Sequence, residues 1–296
     1  MTGPGMGPDP ANSGQTACVI GWPVGHSRSP LIHRYWLKRY RLAGDYVAKP
    51  VPPDEIDAFL RRFAASGFIG ANVTIPHKEA AFRAAAKASP VATALQAANT
   101  LWLADGVLHA DNTDCHGFLA NLDGLEPGWD CAGPAIVFGA GGAARAVIHA
   151  LVDRRFNPII VLNRTVARAE ALASHFGPPV TAAPLTDAAR FVPDANLFVN
   201  TTSAGMDGAP PLAIDWRGAR VDQEKRQGAI ATDIVYTPLQ TPFLRAAADH
   251  GLKTVDGLGM LMHQAAPGFE RWFGVRPAVD QALRQLVLAD ITGRGA

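Results

Sequence analysis

Short apolar runs alternate with helix-spaced apolar positions along most of this chain. Residues 17–20, 46–51 and 68–75 read as strands, the last ending at Pro76. Ser29 opens a helix with Pro30 in its first turn, where a missing N–H costs nothing. Leu31, Tyr35, Trp36 and Leu42 are the apolar stripe expected on it. Ile56, Phe59, Leu60 and Phe63 stand at i, i+3, i+4 and i+7, which predicts a helix over 53–65. Residues 100–103 and 107–110 flank Ala104-Asp105-Gly106 and predict a hairpin in, or at the edge of, a first sheet.

The character changes near residue 120. A turn-rich connector over 123–133 leads into an apolar run, 134–138. The glycine loop Gly139-Ala140-Gly141-Gly142-Ala143-Ala144-Arg145 follows, and a second apolar run, 159–162, ends at Asn163-Arg164-Thr165. Strand, glycine turn, helix and second strand make the first half of a dinucleotide-binding fold. Small residues at Ala143 and Ala144 let helix and strand approach, and the helix N-terminus offers N–H groups to a pyrophosphate.

An NAD site commonly has Asp or Glu at the end of that second strand, bonding the ribose 2′-hydroxyl. Asn163 and Arg164 stand there instead, with Arg168 one turn on. Thr165 is the expected N-cap of the helix bearing Ala167, Ala169, Leu172 and Ala173. Cations at a helix N-terminus are disfavoured by ~0.3–1 kcal/mol each unless an anion sits between them. A 2′-phosphate fits that requirement, so the cofactor expected is NADP(H). The plainer alternative is a pair of solvated arginines.

Further strands are expected over 197–200 and 230–234, with irregular chain over 212–227. The apolar stretch 257–273 reads as two helices, Pro267 standing in the first turn of the second. The fold class is α/β in two domains. Residues 1–16 form a Gly- and Pro-rich leader. An α/β substrate domain covers 17–118, completed by helices over 256–296, and a doubly wound Rossmann-type NADP domain covers 119–255.

Composition narrows the function classes. With 296 residues there is room for two ordinary domains, and 18% charged with 48% hydrophobic residues suits a globular chain. A net charge of +1 supplies no reason for nucleic acid or an anionic membrane as partner. No apolar run reaches the ~18 residues of a membrane helix, and the leader lacks the pattern of a secretory signal. Cys18, Cys115 and Cys131 share no metal-ligand spacing, which argues for a reducing, cytoplasmic setting and no metal.

Three segments of the first half carry more polar groups than a plain βα domain needs. Ser27 and Ser29 flank the start of a helix, where a carboxylate is welcome, although Ser29 also suits a simple cap. Lys78 follows Pro76 at a strand's carboxyl end, the usual ligand edge of an open α/β sheet, although a lysine opening a helix is most often solvated. Asp111-Asn112-Thr113-Asp114 follows the hairpin, and Asp114 is a catalytic carboxylate or merely a helix cap. His77 and His116 have no partner at a useful spacing and read as incidental.

Taken in order, these blocks resemble the shikimate dehydrogenase family from about residue 18 to 288. The match rests on Ser27-Arg28-Ser29-Pro30, Asn72-Val73-Thr74-Ile75-Pro76-His77-Lys78 and Ala98-Asn99-Thr100. It continues through Asp111-Asn112-Thr113-Asp114, the glycine loop, Asn163-Arg164-Thr165 and Asn200-Thr201-Thr202-Ser203. Asp233-Ile234-Val235-Tyr236, Thr241-Pro242-Phe243-Leu244 and the stretch from Gly257 to Gln264 complete it.

The resemblance implies reversible, NADPH-dependent reduction of 3-dehydroshikimate to shikimate, without a metal, in a cleft between the domains. It implies Lys78 and Asp114 as the catalytic pair. Ser27, Ser29, Thr74, Asn99, Tyr236 and Gln264 become substrate contacts. Gly139, Ala140, Gly141, Gly142, Ala143, Asn163, Arg164, Thr165, Arg168, Thr202, Ile234 and Gly257 become cofactor contacts. Arg34 departs from the family's usual Asn and lies one turn from the carboxylate site. The rivals are a quinate/shikimate dehydrogenase, which usually favours NAD and an acidic residue near 164, and a non-catalytic NADPH-binding regulator. Monomer and homodimer both stay open.

Overall fold

A computed structural model describes residues 14–206, 208–221 and 228–293. The chain divides into two compact units, one comprising Met1–Thr113 with Gln264–Ala296, the other Asp114–His263. Most of the leader expected over 1–16 lies outside the described residues, and Thr16 already belongs to the first strand.

The first unit holds a six-stranded sheet. Its strands are β1 (Thr16–Gly21), β2 (Asp45–Pro50), β3 (Phe68–Val73), β4 (Lys87–Ala88), β5 (Thr100–Ala104) and β6 (Val107–Asp111), in the order β2-β1-β3-β5-β6-β4. β1 pairs parallel with β2 and β3, whereas β5 pairs antiparallel with β3 and β6. The expected hairpin is present. Asp105 and Gly106 both take positive φ, 52° and 72°, as a two-residue turn between twisted strands demands.

The first helix, α1 (Ser29–Tyr40), buries Ile32, His33, Trp36 and Leu37, not the stripe of Leu31, Tyr35 and Leu42. The alternative stripe is less apolar by composition, yet it faces aromatic partners. His33 lies 4.0 Å from Tyr46, ring to ring, and Trp36 is 5.3 Å from Phe269. The helix expected over 53–65 is shorter, α2 (Ile56–Arg61), closed by a 3₁₀ turn at Phe63–Ala65. Two further helices follow, α3 (Lys78–Ala84) and α4 (Pro90–Leu95).

In the second unit, α5 (Asp114–Leu125) precedes six parallel strands. They are β7 (Ala135–Phe138), β8 (Ile159–Asn163), β9 (Val180–Pro184), β10 (Leu197–Asn200), β11 (Ile230–Asp233) and β12 (Lys253–Val255), in the order β12-β11-β10-β7-β8-β9. The order reverses between β7 and β10, which makes this a doubly wound sheet with its crevice at their carboxyl ends. The four inner strands, β7, β8, β10 and β11, are buried almost throughout, as a parallel sheet covered on both faces requires. Helices α6 (Gly142–Asp153), α7 (Val166–Phe176), α8 (Ala188–Phe191) and α9 (Pro242–Asp249) connect them.

The stretch 257–273 is one helix, α10 (Leu258–Phe273), with Pro267 inside it, rather than two. A mid-helix proline costs about 3 kcal/mol through its missing N–H and its ring. Burial of Ala265, Ala266, Phe269, Trp272 and Phe273 on the same helix offsets that cost. The last helix is α11 (Gln281–Ile291). Residues 212–221 form neither strand nor helix, as expected, and 222–227 lie outside the described residues.

None of the three thiols is in a disulfide; Cys18 and Cys115 are buried and Cys131 is exposed. Burial pushes the Cys18 thiol up to about 12, which suppresses the reactive thiolate. Titration of the native protein with an aromatic disulfide should therefore label Cys131 quickly and the other two only after denaturation. Rapid native labelling of Cys18 would contradict this packing.

Candidate functional site in each unit

In the first unit, the carboxyl ends of β1 and β3 carry two loops that hold each other. Trp22 N–H donates to the Ile75 carbonyl at 3.0 Å, and Thr74 N–H donates to the Ile20 carbonyl at 2.9 Å. Ser27 and Thr74 thus stand on one edge, both partly buried. Ser29 does not cap α1. The N-cap position is Arg28, without a side-chain cap, and Ser29 is the first helical residue. Its N–H donates to Ser27 Oγ at 3.3 Å, so Ser27 satisfies part of the exposed helix end. Ser27 keeps its own hydroxyl proton for an anion placed there.

Lys78 is the first residue of α3, partly buried. His77 before it is far from incidental. Its ring is buried and Nε2 donates to the Val51 carbonyl at 2.7 Å, tying the start of α3 to the end of β2. The Lys78 carbonyl accepts from Ala98 N–H at 2.9 Å, and Val73 N–H donates to the Asn99 carbonyl at 2.8 Å. Lys78 and Asn99 are therefore held by the same short stretch of backbone. The histidine could have been found by asking what fills the first turn beneath a buried strand end.

Asn99 has a defined amide orientation. Its Oδ1 accepts from Thr113 N–H at 2.8 Å, which only the oxygen can do, so Nδ2 is the donor directed to Gln264 Oε1 at 3.4 Å. Arg34 is exposed, and its guanidinium grips Asp45 at 2.7 and 3.2 Å. That pairing holds the Asp45 carboxyl below the usual carboxylate range. The charge that departs from the family's pattern is thus compensated within the unit.

In the second unit, Asp114 is the first residue of α5 and buried. The glycine loop leaves β7 at the switch point. Gly139 has φ 103°, and a Cβ there would lie 2.8 Å from Thr201 Oγ1 and from the Thr202 methyl. Only glycine fits both constraints. Gly141 caps α6 and Gly142 opens it, and a Cβ at either would meet no protein atom within 4 Å. Protein packing does not demand glycine at those two positions. Close approach of a pyrophosphate to the helix end would.

Thr165 occupies the N-cap position of α7 but makes no side-chain cap bond; Asn163 Nδ2 instead donates to the Thr165 carbonyl at 2.8 Å. Arg164 and Arg168 are exposed beside this helix end, and no ion pair among the described residues involves either. A pocket of about 410 Å³ lies against Arg164, lined also by Gly139, Asn163, Leu185, Thr202 and Pro211 among others. Leu185 and the run Pro210-Pro211-Leu212, also in its wall, were absent from the residues expected by sequence. An apolar Pro-Pro-Leu run just after Thr202 was the signal available.

The far wall is fixed by a buried carboxylate. Asp233 accepts from Asn200 Nδ2 at 3.1 Å, Thr241 Oγ1 at 2.7 Å and Val235 N–H at 2.9 Å. Burial pushes its carboxyl up, and these donors pull the other way. Asn200 Oδ1 in turn accepts from Thr202 N–H and its hydroxyl. Thr202, Ile234 and the partly buried Tyr236 thus extend from two strand ends locked to each other.

The donor set and the glycine cradle fit a dinucleotide carrying an additional phosphate. Gly139→Ala should lower thermal stability by about 1–3 kcal/mol through backbone strain and overlap. Calorimetric unfolding measures this, and an unshifted transition would refute the packing argument.

Comparison with known proteins identifies both halves. The shikimate dehydrogenase substrate binding domain model matches residues 19–101, the shikimate / quinate 5-dehydrogenase model residues 132–208, and the shikimate 5′-dehydrogenase C-terminal domain model residues 257–287. The shikimate dehydrogenase (NADP(+)) of Azorhizobium caulinodans is 55% identical over 279 residues, covering 94% of this chain and 97% of that one. The crystal structure of Thermus thermophilus shikimate 5-dehydrogenase with NADP(H) and shikimate superposes with a TM-score of 0.78 at 36% identity, covering 95% and 100%. Corynebacterium glutamicum quinate dehydrogenase with NAD superposes at 0.85 with 27% identity, covering 94% and 100%.

Proposed function

Since the chain belongs to the shikimate dehydrogenase family, we propose that it catalyses reversible, NADPH-dependent reduction of 3-dehydroshikimate to shikimate. The single observation that carries the cofactor choice is Arg164, exposed beside the 410 Å³ pocket at the start of α7, where an NAD site would have a carboxylate. The first unit is the substrate domain and the second the NADP domain. Fold likeness does not separate shikimate from quinate enzymes, because the quinate enzyme superposes at least as well as the Thermus one. Identity to the NADP(+) relatives and the basic residues at the end of β8 favour the first.

NADPH, when bound, supplies the hydride to the carbonyl carbon. Lys78 and Asp114 are the catalytic pair. As the new C–H bond forms, the carbonyl π electrons move onto oxygen, and the Lys78 ammonium stabilises that charge and passes a proton to it. The C=O becomes a C–OH, and Lys78 is left as an amine that regains its proton from solvent. In the oxidation of shikimate the amine takes the hydroxyl proton. Asp114 orients these groups.

Ser27 and Ser29 receive the substrate carboxylate at the start of α1. Thr74, Asn99, Tyr236 and Gln264 bond its hydroxyls, and Asn99 does so as a donor. Gly139 to Ala143, Thr202, Ile234 and Gly257 line the cofactor, with Asn163, Arg164, Thr165 and Arg168 at its 2′-phosphate. Three thiols outside any disulfide support a cytoplasmic location.

Two assays test the reading. NADPH oxidation with 3-dehydroshikimate should be fast and should fall by about a hundredfold or more in Lys78→Ala, the range for loss of acid–base catalysis. Arg164→Ala should raise KM for NADPH and leave that for NADH unchanged. Full turnover in Lys78→Ala sinks the mechanism, equal use of NADH by the native enzyme sinks the cofactor assignment, and faster oxidation of quinate than of shikimate sinks the substrate assignment.

A further inference from the structure

Beneath the substrate edge of the first unit lies a continuous file of buried polar side chains. Tyr46, on β2, is fully buried. Its phenol donates to Asn72 Oδ1 at 2.7 Å. Asn72 Nδ2 donates to the Asn99 carbonyl at 3.2 Å and reaches Thr100 Oγ1 at 3.5 Å. Thr100, also fully buried, donates to Asn99 Oδ1 at 2.9 Å, and Asn99 Nδ2 continues to Gln264.

The direction of every bond is forced. Asn99 Oδ1 is the acceptor because Thr113 N–H points at it. Asn72 Nδ2 is the donor because it meets a backbone carbonyl, so Asn72 Oδ1 accepts and Tyr46 must donate. Protons therefore run one way, from Tyr46 through Asn72 and Thr100 to Asn99 and on to Gln264. Such one-way chains strengthen each member and fix amide orientation.

The file is clamped from one side without any competing hydrogen bond. His33, buried one turn after Ser29, stacks on Tyr46 with rings 4.0 Å apart and 3° from parallel. Neither ring nitrogen has a hydrogen-bond partner, and the imidazole faces Asn72 without bonding geometry. Burial pushes it down to about 3, so it remains a neutral flat plate across the working pH range.

We propose that Tyr46 and Thr100 are positioning residues for the reaction: neither touches the substrate, and together they hold Asn99 and Gln264 in the orientation that receives it. This rests on the substrate contacts assigned above to those two residues.

The test is steady-state kinetics with 3-dehydroshikimate and NADPH on Thr100→Val, Thr100→Ser, Asn99→Ala and the Thr100→Val/Asn99→Ala double variant. Valine keeps the shape of Thr100 and removes its hydrogen bonds, so KM for 3-dehydroshikimate should rise about tenfold, the equivalent of one hydrogen bond. KM for NADPH should stay unchanged, and Thr100→Ser should restore most of the loss. In the Asn99→Ala background, Thr100→Val should add nothing, because it acts through Asn99. Tyr46→Phe should likewise raise the substrate KM and lose its effect in the Asn99→Ala background.

Multiplying effects in the double variants, or equal losses for both substrates, would overturn the positioning role and leave the substrate reading intact. An unchanged substrate KM in Asn99→Ala would instead refute the substrate contact itself.

Discussion

A parallel strand ends with backbone groups that its neighbours cannot satisfy, and the sites of both units are built on the answer to that constraint. In each unit the answer is a buried asparagine near the carboxyl end of a strand. Asn72 near the end of β3 donates to the Asn99 carbonyl and accepts from Tyr46. Asn200 at the end of β10 donates to Asp233 and accepts from Thr202. Asparagine suits the task because one planar group is both donor and acceptor, so it can join two chain segments without carrying charge. Loops that would otherwise be loose are thereby fixed relative to the sheet that bears them.

The two units solve the burial problem differently. In the first, the file from Tyr46 to Gln264 contains no ionised member, so no charge is desolvated. In the second, one carboxylate, Asp233, is buried, and three donors offset most of its desolvation. The neutral file lies beside the residues proposed to receive the substrate, which is itself an anion. A buried negative charge there would work against binding, whereas a chain of dipoles with its donors directed outward works for it. The charged node is tied through Asn200 to Thr202, in the wall of the pocket that Arg164 also lines.

Much of this was legible in the residues alone. The hairpin was readable because Asp105-Gly106 has few other uses, and the dinucleotide fold because only glycine answers the φ of Gly139. Family membership followed from the order of short blocks. The misreadings share a cause. Leu31, Tyr35 and Leu42 are apolar, but the aromatic wall made by Phe269 and Trp272, more than two hundred residues away in the chain, decides which face of α1 is buried. Pro267 stays inside one helix because burial of its neighbours outweighs the local penalty. β9, β12 and α11 lack strong local signals and exist through their partners.

The chain's own order of residues determined which chemistry is present: two hydroxyls at a helix start, a lysine at a strand end, a glycine cradle and an arginine where an acid would select NAD. These are local facts, set by side-chain type and by the φ values that each residue tolerates. What only the tertiary structure decided is orientation. Whether Asn99 shows its N–H or its oxygen to a ligand depends on Thr113 and Thr100. Whether His77 is idle or a tether depends on the Val51 carbonyl, a strand away. A hydrogen bond has a direction as well as a partner, and direction is settled only when all the members of the network are in place.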